Sequence, residues 1–432
     1  MSPSSATPAA TEAPRAKRQT APKRLAKITR EEALRYHSRY GGKLEIAPKT
    51  RMKDAHDLSL AYTPGVAEPC REIAKHPDDV YTYTSKGNMV AIMTDGTRIL
   101  GLGPIGPYAG LPVMEGKAIL FKKFANVDAF PLCLNVKTVE EFVETAVRVE
   151  PVFGGINLED IQTPQCFDIE ERLRKLLKIP VFHDDQHGTS IIALAGLLNA
   201  LKLTGRKIEA SAFVINGAGA AGIALAKYLK SAGASSITAC DRKGILYAER
   251  KEDMNKYKEQ IAAFTNPQGL RGTLKDALKG ADVFVGLSAP GTLTQEMIRS
   301  MAKDPIVFAL ANPEPEIEPE QAEEAGAAVI ATGRSDYANQ ANNVLGFPGV
   351  FRGALDVRAT QINEAMKLAA SRAIAKLIPD AMLSANYVIP SPIDPRVVPE
   401  VALAVAQAAV ETGVARQKVD PEMILGHITY GR

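Results

Sequence analysis

The chain lacks most of the features that settle a protein's class at a glance. Its four cysteines, Cys70, Cys133, Cys166 and Cys240, include no CxxC pair, which leaves out a zinc ribbon and a dithiol redox motif. So few thiols in 432 residues fit a reducing compartment, and the cytoplasm is the expected location. No run of 18 apolar residues occurs, so no membrane span is expected. The first residues have no apolar signal-peptide core. Neither sign of charge dominates: Lys and Arg number 52 against 49 Asp and Glu, a net charge of +3. Much of that excess sits in one acid-free stretch carrying Arg15, Lys17, Arg18, Lys23, Arg24, Lys27 and Arg30. The remainder is balanced, so no nucleic-acid partner is expected. Residues 1–28, rich in Ala, Pro, Ser and Thr and then basic, are expected to form a disordered tail. The alternative is an organelle transit peptide, although Pro-rich segments make poor amphipathic helices.

What is present is ordinary in bulk and specific in detail. The 46% hydrophobic and 23% charged content suits a soluble globular protein. The length allows two or three domains, each with its own core. Thr29, with Glu32 three residues on, reads as a capped helix start. From Asp57 to about Pro180, short strands such as Met89 to Asp95 alternate with helical stretches such as VEEFVETAVRV. After Thr189 the chain changes character. SIIALAGLLNALKLTG is a long apolar helix stopped by Gly205. Buried-looking strands follow at Ala212 to Asn216, Ser236 to Cys240, Asp282 to Ser288, Ile306 to Asn312 and Ala328 to Gly333, separated by polar helical segments. Continuous apolar strands alternating with helices imply a parallel sheet covered on both faces. From about Gln361 the sequence reads as helices interrupted by the turn VIPSPIDPRVVPE. The expected fold class is α/β: a mixed α/β domain over 29–185, then a doubly wound, parallel-sheet Rossmann-type domain with C-terminal helices over 186–432.

The strand ending at Asn216 runs into Gly217-Ala218-Gly219-Ala220-Ala221-Gly222 and then a helix. A lone GxGxxG is weak evidence. Here it sits between strand and helix, and a second strand ends at Asp241, about 20 residues on, where a ribose-binding carboxylate belongs. Gly217 would make the turn, Gly219 would let backbone approach a pyrophosphate, and Gly222 would let helix pack on strand. The pyrophosphate would lie against the helix's free N–H groups. Asp241 favours a free 2′-hydroxyl and hence NAD. Arg242 and Lys243 favour a 2′-phosphate and hence NADP, or are simply a solvated loop. Both cofactors stay open.

Two segments carry more acid than a structural loop needs: Gly154 to Asp160, with Glu159 and Asp160, and His183-Asp184-Asp185-Gln186-His187. Adjacent carboxylates at the ends of buried elements repel one another, and a hard cation such as Mg2+ or Mn2+ relieves that. Helix capping by Asp184 or Asp185 and a zinc site on His183 and His187 are the competing readings.

These stretches, taken with SLAYTPGVAEPC (Ser59 to Cys70), TDGTRILGLGPIGP (Thr94 to Pro107), PVMEGKAILFK (Pro112 to Lys122), INGAGAAG, LANPEPEI (Leu310 to Ile317) and TGRSDYANQANNVLGFPGVFRGALDVRAT (Thr332 to Thr360), resemble the malic enzyme family in its short bacterial-type form. The resemblance runs from roughly Glu31 to Val414. It departs at Pro104, where Asn is expected in GLG-x-IGP, on the loop before Lys117.

The resemblance implies metal-dependent oxidative decarboxylation of (S)-malate to pyruvate and CO2 with reduction of NAD or NADP, an oxaloacetate decarboxylase side activity, and a homodimer or higher homo-oligomer. It implies Glu159, Asp160 and Asp185 as ligands of Mg2+ or Mn2+, Lys117 as the base and Tyr62 as the acid that protonates C3. Asp184 would tune Lys117, whose pKa burial and the cation would lower. Arg98 would hold substrate, and Asn312 and Asn343 would contact substrate or cofactor. Other readings are an amino-acid or folate dehydrogenase, which needs no acidic cluster, and a non-catalytic nucleotide-binding regulator, which needs neither Lys117 nor Tyr62.

Overall fold

A computed structural model describes residues 28–100 and 102–429, so the expected tail over 1–28 lies almost wholly outside the described residues. The first helix, Arg30–Ser38, begins as its sequence requires: the Thr29 hydroxyl accepts the Glu32 N–H at 3.2 Å.

Two parallel sheets organise the chain. The first has strands β1 (Met89–Thr94), β2 (Asp128–Cys133), β3 (Gly155–Leu158) and β4 (Val181–His183), in the order β2-β1-β3-β4. β1 and β3 are almost wholly buried, which their unbroken apolar runs anticipate. The Pro107–Ala125 helix connects β1 to β2 and ends at Asn126, which takes a left-handed conformation with φ 51°.

The second sheet has β5 (Ala212–Asn216), β6 (Ser236–Asp241), β7 (Gly244–Ile245), β8 (Val283–Gly286), β9 (Ile306–Ala309) and β10 (Val329–Thr332). Its order is β10-β9-β8-β5-β6-β7, with only β7 antiparallel. The chain runs outward from β5 one way through β6 and the other way through β8, so the strand order switches between β5 and β8. Ligands of such sheets bind in the crevice at that switch, beyond the strands' C-terminal ends.

One helix joins the two sheets. Asp184–Leu203 starts where β4 ends and packs along the Ala220–Ser231 helix behind β5. It begins earlier than the apolar pattern indicates, and Gly205, with φ 69°, lies just beyond its end. The C-terminal helices Glu364–Lys376 and Val397–Glu411 pack on one another and on this frame. A continuous core runs from Val90 and Ile156 through Ile191 and Leu197 to Ile215 and Phe308.

Candidate active site

All strands of the first sheet are parallel, so the loops after β1, β3 and β4 converge at one edge. Arg98 lies on the loop after β1, Glu159 and Asp160 directly after β3, and Asp184 and Asp185 directly after β4. Lys117 enters from the buried face of its helix. Its Nζ donates to Asp184 Oδ2 at 2.5 Å, stands 3.0 Å from Glu159 Oε1, and lies 4.3 Å from the centre of the Phe347 ring. The Asn343 amide also donates to Asp184 Oδ2, and the Asn157 amide to Glu159 Oε2 at 2.9 Å. Asp160 adopts φ 53°; its N–H donates to Asp185 Oδ2 at 2.9 Å and its carbonyl accepts the Arg98 N–H at 3.1 Å. The structure thus brings Arg98, Lys117, Glu159, Asp160, Asp184, Asp185 and Asn343 into one cluster.

The electrostatics follow from burial. Burial, then repulsion among Asp184, Asp185 and Asp160, raises the Glu159 carboxyl against the pull of Lys117. Burial and Asp185 push Asp160 up to about 7. Asp184 is raised as well, mainly by burial. Without a cation in the site, burial would lower Lys117, but the Asp184 and Glu159 carboxylates outweigh burial and raise it.

Two buried oxygens of the cluster, Asp160 Oδ2 and Asp184 Oδ1, have no hydrogen-bond partner. Leaving such atoms unsatisfied is costly, and a hard cation suits carboxylate oxygens of this kind. Among the described residues, however, no three His, Cys, Asp or Glu side chains stand as a ready ligand set. Glu159 is turned to Lys117 and Asp185 to a backbone N–H.

Capping by Asp184 or Asp185 is not observed. His183 is the N-cap, and the two acids occupy the first turn, where the helix dipole favours negative charge. The zinc reading gains no support either, because the His187 ring nitrogens face Glu170 Oε1 at 2.7 Å and Lys367 Nζ at 3.4 Å.

Two predicted residues lie apart. Tyr62 follows the Ala55–Ala61 helix and is 68% exposed, and its side chain makes no hydrogen bond to the cluster among the described residues. Asn312 follows β9 and packs its amide against Gly333.

The glycine turn after β5 fits a dinucleotide. Gly217 has φ 122°, and a Cβ there would lie 2.4 Å from the Leu287 carbonyl oxygen. A Cβ on Gly222 would lie 1.7 Å from the Gly217 oxygen, whereas Gly219 faces open space. Ala220 and Ala221 open the following helix, with Ala218 in the turn before it. At the end of β6, sequence reasoning missed two residues. Arg250 grips both Asp241 oxygens at 2.7 Å, and Lys258 reaches Oδ2 at 2.7 Å. Burial would raise the Asp241 carboxyl, but these cations hold it below its usual value. Arg242 pairs with Asp253 and Lys243 with Glu252. Only the pairing of β6 with β7 folds Arg250 back onto Asp241, and no local motif announces that.

A buried lysine set among acids on one parallel sheet, beside a glycine turn at the switch point of another, defines a two-domain α/β dehydrogenase of the Rossmann class. Residues 41–174 match the family description "Malic enzyme, N-terminal domain", and residues 186–412 match "Malic enzyme, NAD binding domain". The "Bifunctional malic/malolactic enzyme" of Bacillus subtilis is 61% identical, over 91% of this chain and 96% of that protein. The "NAD-dependent malic enzyme" of Geobacillus stearothermophilus is 55% identical, over 87% and 78%. The crystal structure of the malic enzyme from Pyrococcus horikoshii superposes with a TM-score of 0.90 at 49% identity, covering 93% of this chain and 95% of that one. The chain belongs to the malic enzyme family, whose members are NAD(P)-dependent oxidoreductases.

Proposed function

We propose that the chain oxidises and decarboxylates (S)-malate to pyruvate and CO2 in the cytoplasm, with oxaloacetate decarboxylation as a side activity. The observation that carries this reading is the Lys117 amine held between Glu159 and Asp184. We assign the substrate half to residues 29–185 and the cofactor half to 186–432; the family matches at 41–174 and 186–412 support that division.

Lys117 takes the proton of the C2 hydroxyl, a role for which an amine must be positioned and at least transiently neutral. In the ion-paired state its two carboxylates oppose that, so Glu159 has to leave the amine for Lys117 to act as base. Asp184, fixed by Asn343, then aims the amine. Arg98, beside Asp160, orients a substrate carboxylate. Glu159, Asp160 and Asp185 hold Mg2+ or Mn2+, which supplies Lewis-acid polarisation of the substrate oxygens when bound. The Gly217 to Gly222 turn would hold the nicotinamide cofactor, which would supply the hydride acceptor, and Asn312 and Asn343 would contact substrate or cofactor.

The Tyr62 hydroxyl delivers the proton to C3 after CO2 departs. Within one chain Tyr62 is exposed and unbonded to the cluster, so we assign it to the site of a second copy in a homodimer. The exposed apolar arm supports this: the helices Arg30–Ser38, Ala55–Ala61 and Ala67–Lys75 bury no residue, while Ile28, Tyr36, Tyr40, Ile46, Met52 and Leu60 are all exposed. Apolar surface of this extent marks a protein interface.

Of the two cofactors, the charge balance at the 2′ position favours NADP. Arg242, Lys243, Arg250 and Lys258 face only Asp241, Glu252 and Asp253. Initial rates with malate, Mn2+ and each cofactor in turn test the whole reading. Absence of malate-dependent reduction with either cofactor overturns it.

A further inference from the structure

A crevice of about 490 Å³ lies beside the first turn of the Asp184–Leu203 helix. Gln186 and His187 line it, two and three residues beyond Asp184 in the same helix turn. One wall comes from the Gln165–Leu176 helix of the first half, the other from the Ala220–Ser231 and Lys256–Ala262 helices of the second.

Most charges around it are paired internally. Glu170 accepts from His187 at 2.7 Å and from Gln186 at 3.1 Å; Lys175 pairs with Glu171, and Lys367 with Glu364. Two cations make no direct ion pair, although Glu170, Glu171 and Glu364 act on Lys227 and Glu364 on Arg174 from farther off. Arg174 contacts only the Gln361 amide oxygen, at 3.4 Å, and Lys227 only that of Gln260, at 3.2 Å. Among the described residues neither has a carboxylate partner, and they stand on opposite walls. Burial holds Lys227 below its usual pKa, against the pull of three acids. Between them the Phe167 and Tyr257 rings, tilted by 35° with centres 4.3 Å apart and both largely buried, put aromatic edges into the lining. The Tyr228 hydroxyl beneath is buried and unpartnered.

We propose that this crevice binds a small organic anion, its acid group between Arg174 and Lys227 and its apolar part against the edges of Phe167 and Tyr257. Such a ligand bridges the two halves of the chain. Its floor, Glu170, holds Gln186 and His187 in the helix turn that also presents Asp184 and Asp185. Occupancy therefore draws the halves together and lowers the KM for malate. The effect on KM rests on the malate reading above; the binding itself does not.

The test uses the full chain saturated with reduced nicotinamide cofactor, titrated calorimetrically with phenyl phosphate and with benzoate. Wild type is expected to bind at least one of these at one site per chain. The double variant Arg174→Gln, Lys227→Gln should bind it at least tenfold more weakly, with an unchanged melting temperature. Preference for phenyl phosphate assigns a phosphate ligand, and preference for benzoate a carboxylate. The bound probe should lower the malate KM several-fold in wild type and not in the variant. No binding by wild type, or equal binding by the variant, overturns the site. Binding without any change in KM overturns the coupling and leaves the malate reading untouched.

Discussion

Asp160 and Asp241 are both aspartates at the C-terminal end of a strand in a parallel sheet, and their surroundings push them in opposite directions. Asp160 sits in an acid-rich cluster, keeps one oxygen unsatisfied, and is pushed up to about 7. Asp241 is clasped by Arg250 and Lys258 and held low. The first region has more negative charge than its single lysine can balance; the second has more positive charge than its acids can. Buried charge seeks compensation. On the proposed function the first region receives a cation and the second an anion, although each centres on the same residue type.

This contrast can be broken experimentally, starting at the acidic end. Chelation should abolish malate oxidation, and Mn2+ should restore it. Asp185→Ala should weaken Mn2+ binding, read by titration calorimetry, while leaving the melting curve intact. Full turnover in excess chelator, with no metal found by elemental analysis, would falsify the cation half of the contrast.

Next in size, Lys117→Ala should lower kcat for malate by the ~10²–10⁴-fold typical of lost general-base catalysis. A loss below threefold would make Lys117 a counter-ion for Glu159 and Asp184 and nothing more.

Tyr62→Phe should also cost activity, and mixing it with Lys117→Ala should return some. Each hybrid dimer then carries one site with both a lysine and a tyrosine. If two inactive chains stay inactive after mixing and refolding together, Tyr62 does not cross between copies.

At the basic end, Lys258→Gln should reduce kcat/KM for NADP relative to NAD by ~10-fold, the scale of one charge-assisted hydrogen bond. An unmoved ratio would mean that the Asp241 clasp does not read the 2′ position. Arg242→Ala, which breaks only an exposed pair with Asp253, should change that ratio less than twofold and stability by well under ~1 kcal/mol. A larger change would move the specificity from Lys258 outward to the loop.

The fold was largely legible before the coordinates. Strands such as Ala212–Asn216 and Ile306–Ala309 are short apolar runs between turn residues, and their burial on both faces is what such runs require. The glycine turn was legible for the same reason: each glycine answers a local steric demand, as Gly217 against Leu287 shows. The acidic cluster was visible as segments, because Glu159 and Asp184 directly follow strands. What escaped was pairing at long range. Asp184 was expected beside Lys117, but nothing near the lysine reveals that Glu159 reaches it as well. Arg250 and Lys258 lie nine and seventeen residues past Asp241 and meet it only because the chain doubles back after β6. The exposure of the segment around Tyr62 was equally hidden, since its short helices carry apolar residues that no local pattern marks as unburied.

The clasp on Asp241 is also contiguous: everything that grips it lies between residues 241 and 258. The acidic cluster instead draws Arg98, Lys117, Glu159, Asp185 and Asn343 from stretches scattered over much of the chain. A change in one short cassette can therefore retune the coenzyme without disturbing the chemistry, whereas the chemistry cannot drift piecemeal. For a lineage under shifting demand for reducing power, the cofactor is the adjustable part and the reaction the inherited one. For the engineer, a graft of eighteen residues is the natural unit of exchange between relatives.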